Sequence, residues 1–459
     1  MNENWHMTSA IELGLAIEKG YIDPRELTEY FLDRISKLDP HNKIYLRTTT
    51  DRARTAARSA FSRSKSGLRL SILDGVPISW KDLFDTNGDI TSHGSPILIN
   101  RIAKQDAIVV ERAELAGLVC LGKTNQTEYA FSILGLNPHF GTPSNPFDNV
   151  TERLPGGSTS GGAVSVSSGL AAAAIGSDTG GSVRVPSAWN GLVGLKTSFG
   201  RLPLQGVLPL STSLDTVGPL TRNVDDAAAI FSILDGKSST NVKPWINIFG
   251  ISPKLIQLVC PKGFVWEKLT PDIESVTINA IEKISSSGVT ITTKEVKELS
   301  EVDSLINHFG PYHASECHAI WGSQIENNPN LVYPPILERI RLGGQMTASS
   351  VEQIKNKLQI AANSLHGWMK EHGILVCPTV PITPPSIKEV EKNFEFWKKT
   401  NSEVLRNTRL GNFLNCCAIT LPCGKDNNGI PIGLMLMAPW GDDELLLEVA
   451  ATIEKILNS

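Results

Sequence analysis

The apolar positions Ile11, Leu13, Leu15 and Ile17 follow Ser9, with Glu12 three residues beyond the serine. That arrangement predicts a capped helix stopping at Gly20. Asp23-Pro24 opens a second helix, carrying Leu27, Tyr30, Phe31 and Ile35 at helical spacing, and a third is predicted over 52–63. From residue 70 the pattern changes. Short apolar runs at 75–78 and 118–121 alternate with a helical stretch at 107–116, and Asn125-Gln-Thr-Glu128 looks like a further helix start. Between two glycine clusters, 163–175 is predicted as a helix of small residues. Residues 236–252 look like a surface connection. Beyond it come a strand at 255–260, a helix at 271–286 and a strand at 289–296. Residues 301–372 are mostly helical, and the apolar run 374–380 leads into the prolines 381, 384 and 385. The end is predicted as a helix near 395–417, strands at 419–422 and 432–437, and a last helix from Asp442. Strand–helix alternation of this kind argues for a mixed sheet covered by helices.

Composition narrows the function classes. The chain has 459 residues, 41% hydrophobic and 20% charged, with a formal charge of −4. That is globular composition with no basic footprint for nucleic acid or an anionic membrane. No stretch is long and apolar enough to span a bilayer, and the polar start is read as carrying no secretory leader. Seven scattered cysteines without a C-x-x-C pair point to the reducing cytoplasm.

Three familiar patterns fail on context. Gly117 to Thr124 matches a P-loop, but its middle residues Leu, Val, Cys and Leu build a strand, and a helix precedes it. Ser62-Arg-Ser-Lys65 lies at the polar end of a helix and lacks its companion motifs. His308, His313 and His318 recur every five residues, which does not align them as metal ligands, so they are read as surface or packing residues. With no G-x-S-x-G elbow, a Ser–His–Asp hydrolase is poorly supported, and no metal site is expected.

The chemistry concentrates in Pro155-Gly-Gly-Ser158 and in Gly176-Ser-Asp-Thr179-Gly180-Gly181-Ser182-Val-Arg184-Val-Pro186. Successive N–H groups of a glycine turn form a donor nest, and a serine closing it has an oxyanion site at hand. A base is then needed. Lys81 follows an apolar run and is either a buried cation paired with Asp82 or, kept neutral by burial, a base.

The order of motifs resembles the amidase signature family. The matching elements begin with Gly75-Val-Pro and Lys81-Asp-Leu-Phe-Asp, then Gly122-Lys-Thr-Asn-Gln-Thr-Glu128 and the two serine motifs. They continue through Gly194-Leu-Lys-Thr197, Leu214-Asp-Thr-Val-Gly-Pro219 and Cys377-Pro-Thr379 to Leu421-Pro-Cys-Gly424. The resemblance implies a single α/β domain, a mixed central sheet between helical layers. An N-terminal helical segment (1–65) packs on the signature domain (66–459), with its motif core at 70–235 and a variable substrate region near 300–400. It also implies an amidase with a Ser–Ser–Lys triad and no cofactor. Ser182 corresponds to the nucleophile and Lys81 to the base. Ser158 corresponds to the bridging serine, after a cis peptide at Gly157. The N–H groups of Thr179, Gly180, Gly181 and Ser182 correspond to the oxyanion hole. Trp80 and Trp189 depart from the family pattern; with Tyr129 they are candidate pocket residues, although core packing accounts for both tryptophans equally well. The implied partner is a small amide substrate, with a homodimer favoured. The alternative is the glutaminase component of a tRNA-dependent amidotransferase. Against it, 308–321 lacks a tyrosine-rich helix.

Overall fold

The computed structural model describes residues 4–236 and 250–459. Most of the expected connection at 236–252 therefore lies outside the described residues. Eleven strands form one sheet: β1 (Tyr45–Thr48), β2 (Pro77–Lys81), β3 (Val119–Thr124), β4 (Ala173–Asp178), β5 (Val193–Lys196), β6 (Thr216–Thr221), β7 (Gln257–Pro261), β8 (Thr290–Lys294), β9 (Ile374–Pro378), β10 (Cys417–Lys425) and β11 (Pro431–Ala438). Their order across the sheet is β1-β3-β2-β4-β6-β5-β10-β11-β9-β7-β8. The pairs β2/β3, β2/β4, β7/β8 and β7/β9 are parallel and the others antiparallel, so the sheet is mixed. Helices cover both faces, which is why β2, β3, β4 and β11 are buried along their whole length. The result is a single α/β domain. No helix among the described residues is long and apolar enough to cross a membrane.

Local chemistry explains the elements that follow the sequence pattern. Ser9 and Glu12 form a capping box on the helix Ala10–Glu18. The Asp23 carboxylate caps the helix Pro24–Leu38. Three elements differ from the pattern. The first 65 residues are not all helix, because the Asp39 carboxylate collects the N–H groups of Lys43, Ile44 and Tyr45 and turns the chain into β1. The run 163–175 is not one helix. The helix Ser160–Ser167 ends at Ser168, Gly169 turns with φ +67°, and the alanines that follow become β4. Alanine suits both states, and here the parallel register with β2 decides, Ile78 opposite Ala173 and Trp80 opposite Ile175. Asn125 starts no helix. Its amide donates to the carbonyls of Lys43 (2.9 Å) and Gly141 (2.6 Å), and only a single helical turn, Glu128–Ala130, follows.

Candidate active site

Lys81 ends β2 and is fully buried. Its Nζ lies 2.7 Å from Ser158 Oγ and 2.8 Å from Ser177 Oγ. Burial lowers its pKa to about 7, against a partial upward pull from Asp215 and Asp178. The expected partner Asp82 is engaged elsewhere. It contacts Arg47, and Lys123 Nζ stands 3.7 Å away. Among the described residues no carboxylate forms an ion pair with Lys81. A lysine so placed is a hydrogen-bonded amine with a substantial neutral fraction at pH 7.

Ser158 follows a cis Gly157–Ser158 peptide and is fully buried. Its carbonyl accepts from Thr127 N–H at 3.1 Å. A side chain at Gly157 would come within 2.6 Å of the Gly135 nitrogen, so glycine alone lets the two chains approach.

Ser182 stands on the turn between β4 and the helix Arg184–Trp189. Asp178 organises this turn. Its carboxylate accepts from the backbone N–H of Gly181 (2.8 Å) and Val183 (3.2 Å), and from Arg184 Nε (3.0 Å) and Nη2 (2.9 Å). Burial alone would raise the Asp178 pKa, but the Arg184 guanidinium holds it down at about 2. Arg184 thus braces the glycine turn. Gly181 has φ +134°, and a Cβ there would lie 2.2 Å from Thr408 Oγ1. The Thr159 N–H donates to the Ser182 carbonyl at 3.3 Å, which ties the two serine segments together. The Ser182 hydroxyl lines a cavity of about 560 Å³ and makes no hydrogen bond among the described residues. The structure therefore joins Lys81 directly to Ser158 and brings the Ser182 segment alongside.

The four N–H groups expected at the oxyanion hole are not equally free. The Gly181 N–H is spent on Asp178, whereas those of Thr179, Gly180 and Ser182 donate to no protein acceptor among the described residues. Thr179, Gly180 and Ser182 line the cavity.

The three expected pocket residues do not line the cavity. Trp80 neighbours Lys81 on a strand, so it faces the opposite side of the sheet and packs on Phe84 at 5.2 Å between ring centroids. Trp189 is buried and donates to the Ile382 carbonyl at 3.0 Å. Tyr129 packs between His93 and Trp321, each 5.5 Å from it. The cavity is walled instead by 130–133 and by side chains from several later helices, among them Ile306, Leu342 and Phe413, with Met346 from the loop that follows Gly344. Two further polar residues carry no clear sequence signal. Ser177, the second partner of Lys81, belongs to the Gly176-Ser-Asp178 stretch, but nothing local marks it. His313, expected at the surface or in packing, lines the cavity, while His308 is exposed.

Comparison with known proteins finds relatives that span nearly the whole chain. A family model described as Amidase matches residues 26–447. The 2-amino-5-chloromuconic acid deaminase of Comamonas testosteroni is 32% identical, covering 98% of this chain and 97% of its own. The A component of the glutamyl-tRNA(Gln) amidotransferase from Acinetobacter baumannii is 31% identical, over 96% of this chain and 94% of its own. A crystal structure of an amidase superposes with a TM-score of 0.85 at 26% identity, covering 98% of this chain and 99% of that one.

Proposed function

The chain belongs to the amidase signature family of amide hydrolases, and we propose that it cleaves a linear carboxamide through an acyl-enzyme on Ser182. The observation that carries this reading is the 2.7 Å contact of a near-neutral Lys81 with Ser158. Neutral Lys81 takes the Ser158 proton while Ser158 takes that of Ser182, and Ser182 Oγ attacks the amide carbonyl. The N–H groups of Thr179, Gly180 and Ser182 receive the developing oxyanion. The proton returns through Ser158 to the leaving nitrogen, releasing ammonia or an amine. Water then hydrolyses the ester to free the carboxylate. The scheme needs no cofactor. Seven unpaired thiols favour a reducing compartment, so the proposed location is the cytoplasm. A homodimer rests on the resemblance alone.

The test is Ser182→Ala. Loss of amide turnover, followed by ammonia release over a panel of amides, is expected. Wild-type turnover in that variant overturns the reading. The identity to an amidotransferase component supports a second reading, a glutaminase working within a larger assembly. Glutamine hydrolysis that appears only with partner proteins and tRNA would select it.

A further inference from the structure

Building on the amidase reading, we propose that Glu316 is a positioning residue for the reaction: by gripping the loop 209–213 it keeps the Asp215 carboxylate on Thr179 and beside Lys81. The helix that carries Glu316, Tyr312–Glu326, also walls the cavity through His313 and Ala314. One helix thus serves both the cavity and the turn that bears Ser182.

Glu316 is the centre of a polar knot. Its carboxylate accepts from Ser211 Oγ, from Ser213 Oγ (2.8 Å) and N–H (3.2 Å), and from Lys355 Nζ. Three of these four donors belong to the loop before β6, so the knot ties that loop to the helix. Burial alone would raise the Glu316 pKa, but Lys355 and the two serines hold it below the usual carboxylate range. It therefore stays ionised at neutral pH. The same helix grips the start of the loop as well, since Trp321 Nε1 donates to the Pro209 carbonyl at 2.8 Å.

The loop in turn sets Asp215. Pairing of Thr216 with Asp178 between β6 and β4 fixes the backbone beside Asp215, and the direction of its side chain is left to nearby donors. The N–H groups of Leu210 (2.9 Å) and Ser211 (3.0 Å) hold one carboxylate oxygen. The other oxygen is then free to accept from Thr179 Oγ1 at 2.5 Å. Thr179 opens the glycine turn that ends in Ser182, and its N–H donates to no protein acceptor among the described residues. Asp215 also pulls the Lys81 pKa upward. The contacts therefore run from Glu316 through Ser211 to Asp215, and from there to Thr179 and Lys81. The other titratable groups here are Asp178, tied to Arg184, the His93 imidazole beside Lys81, the Cys317 thiol beside Asp215 and the Tyr312 phenol beside Glu316. Burial keeps His93 neutral and keeps Cys317 and Tyr312 protonated, so none of the three changes charge near neutrality.

The test follows labelling of Ser182 by a small neutral fluorophosphonate, which reads the nucleophile without a substrate. Second-order rates are measured on the full chain from about pH 5 to about pH 9. Glu316→Ala should slow the plateau rate about tenfold, the cost of one misplaced charge-assisted hydrogen bond. Its acid midpoint should also fall by about half a unit or more, because a displaced Asp215 no longer favours the Lys81 ammonium. Ser211→Ala combined with Ser213→Ala should reproduce both changes, and adding Glu316→Ala to that pair should change little further. A wild-type rate in Glu316→Ala overturns the proposal. So does an unmoved midpoint, since general loosening would slow labelling without moving it, and so do effects that add in the combined variant. If Glu316→Ala does not fold, the serine pair decides by the same rate and midpoint. The two proposals fail distinguishably. No labelling of Ser182 in the wild-type protein would sink the amidase reading and this inference with it. Labelling that is indifferent to Glu316 and its two serines would sink this one alone.

Discussion

The acid limb of the pH–rate profile reports directly on Lys81. In water its ammonium would have a pKa of 10.5, and burial lowers this to about 7. The scheme uses the neutral amine, so kcat/KM should follow the deprotonated fraction. At pH 7 that fraction is about one half, whereas an unperturbed lysine would supply on the order of one part in a few thousand. Burial thus raises the supply of base by roughly a thousandfold. Below the midpoint the rate should fall about tenfold per pH unit, and well above it a plateau should follow. The assay is ammonia release from a neutral amide at low substrate, from about pH 5 to about pH 9. A neutral substrate keeps its own ionisation out of the profile. Asp215, whose pKa burial raises to about 6, titrates on the same limb. It accepts from Thr179 Oγ1 at 2.5 Å and its charge favours the lysine ammonium, so the limb belongs to the pair. A rate that is flat between about pH 5 and about pH 9, or that falls as pH rises through 7, would refute a neutral lysine base.

Three further outcomes follow from the same geometry. Ser177→Ala removes one of the two hydroxyls on Lys81 Nζ; kcat should drop about tenfold, and the acid midpoint should move down because the ammonium loses an acceptor. A wild-type rate and midpoint would show that Ser177 is a bystander. Gly181→Ala forces a Cβ to 2.2 Å from Thr408 Oγ1 at φ +134°; a loss of more than about 2 kcal/mol is expected in denaturant unfolding, with loss of turnover, and an unchanged midpoint would contradict the turn geometry. Arg184→Met leaves Asp178 buried without its partner; destabilisation of about 3–5 kcal/mol is expected, and near-native stability would mean the pair does not brace the turn.

What the sequence discloses depends on the range of the interaction. The Ser9–Glu12 box and the Asp23-Pro24 start are legible because a side chain meets backbone within three residues. The serine motifs are legible for a similar reason, since Asp178, Gly181 and Ser182 form one turn closed by its own hydrogen bonds. The alanine run entering β4 misleads because small residues satisfy helix and strand alike, and only the neighbouring strands decide. For Trp80 the sequence leaves pocket and core packing open because a motif does not carry the alternation along β2, which turns the side chain away from Lys81 into the core. Ser177 is hidden because its partner lies on another strand, 96 residues away. His313 escapes because its place on the cavity wall depends on packing between distant helices, such as the close approach of Gly343 to Ala314, which no local spacing encodes.

The central claim is a covalent acyl-enzyme on Ser182, and active-site labelling tests it most directly. A fluorophosphonate should add once to the wild-type protein, with peptide mapping placing the adduct on Ser182. Labelling should be much slower in Lys81→Met and absent in Ser182→Ala. An adduct on a different side chain, or one that survives Ser182→Ala at the wild-type rate, would contradict the account.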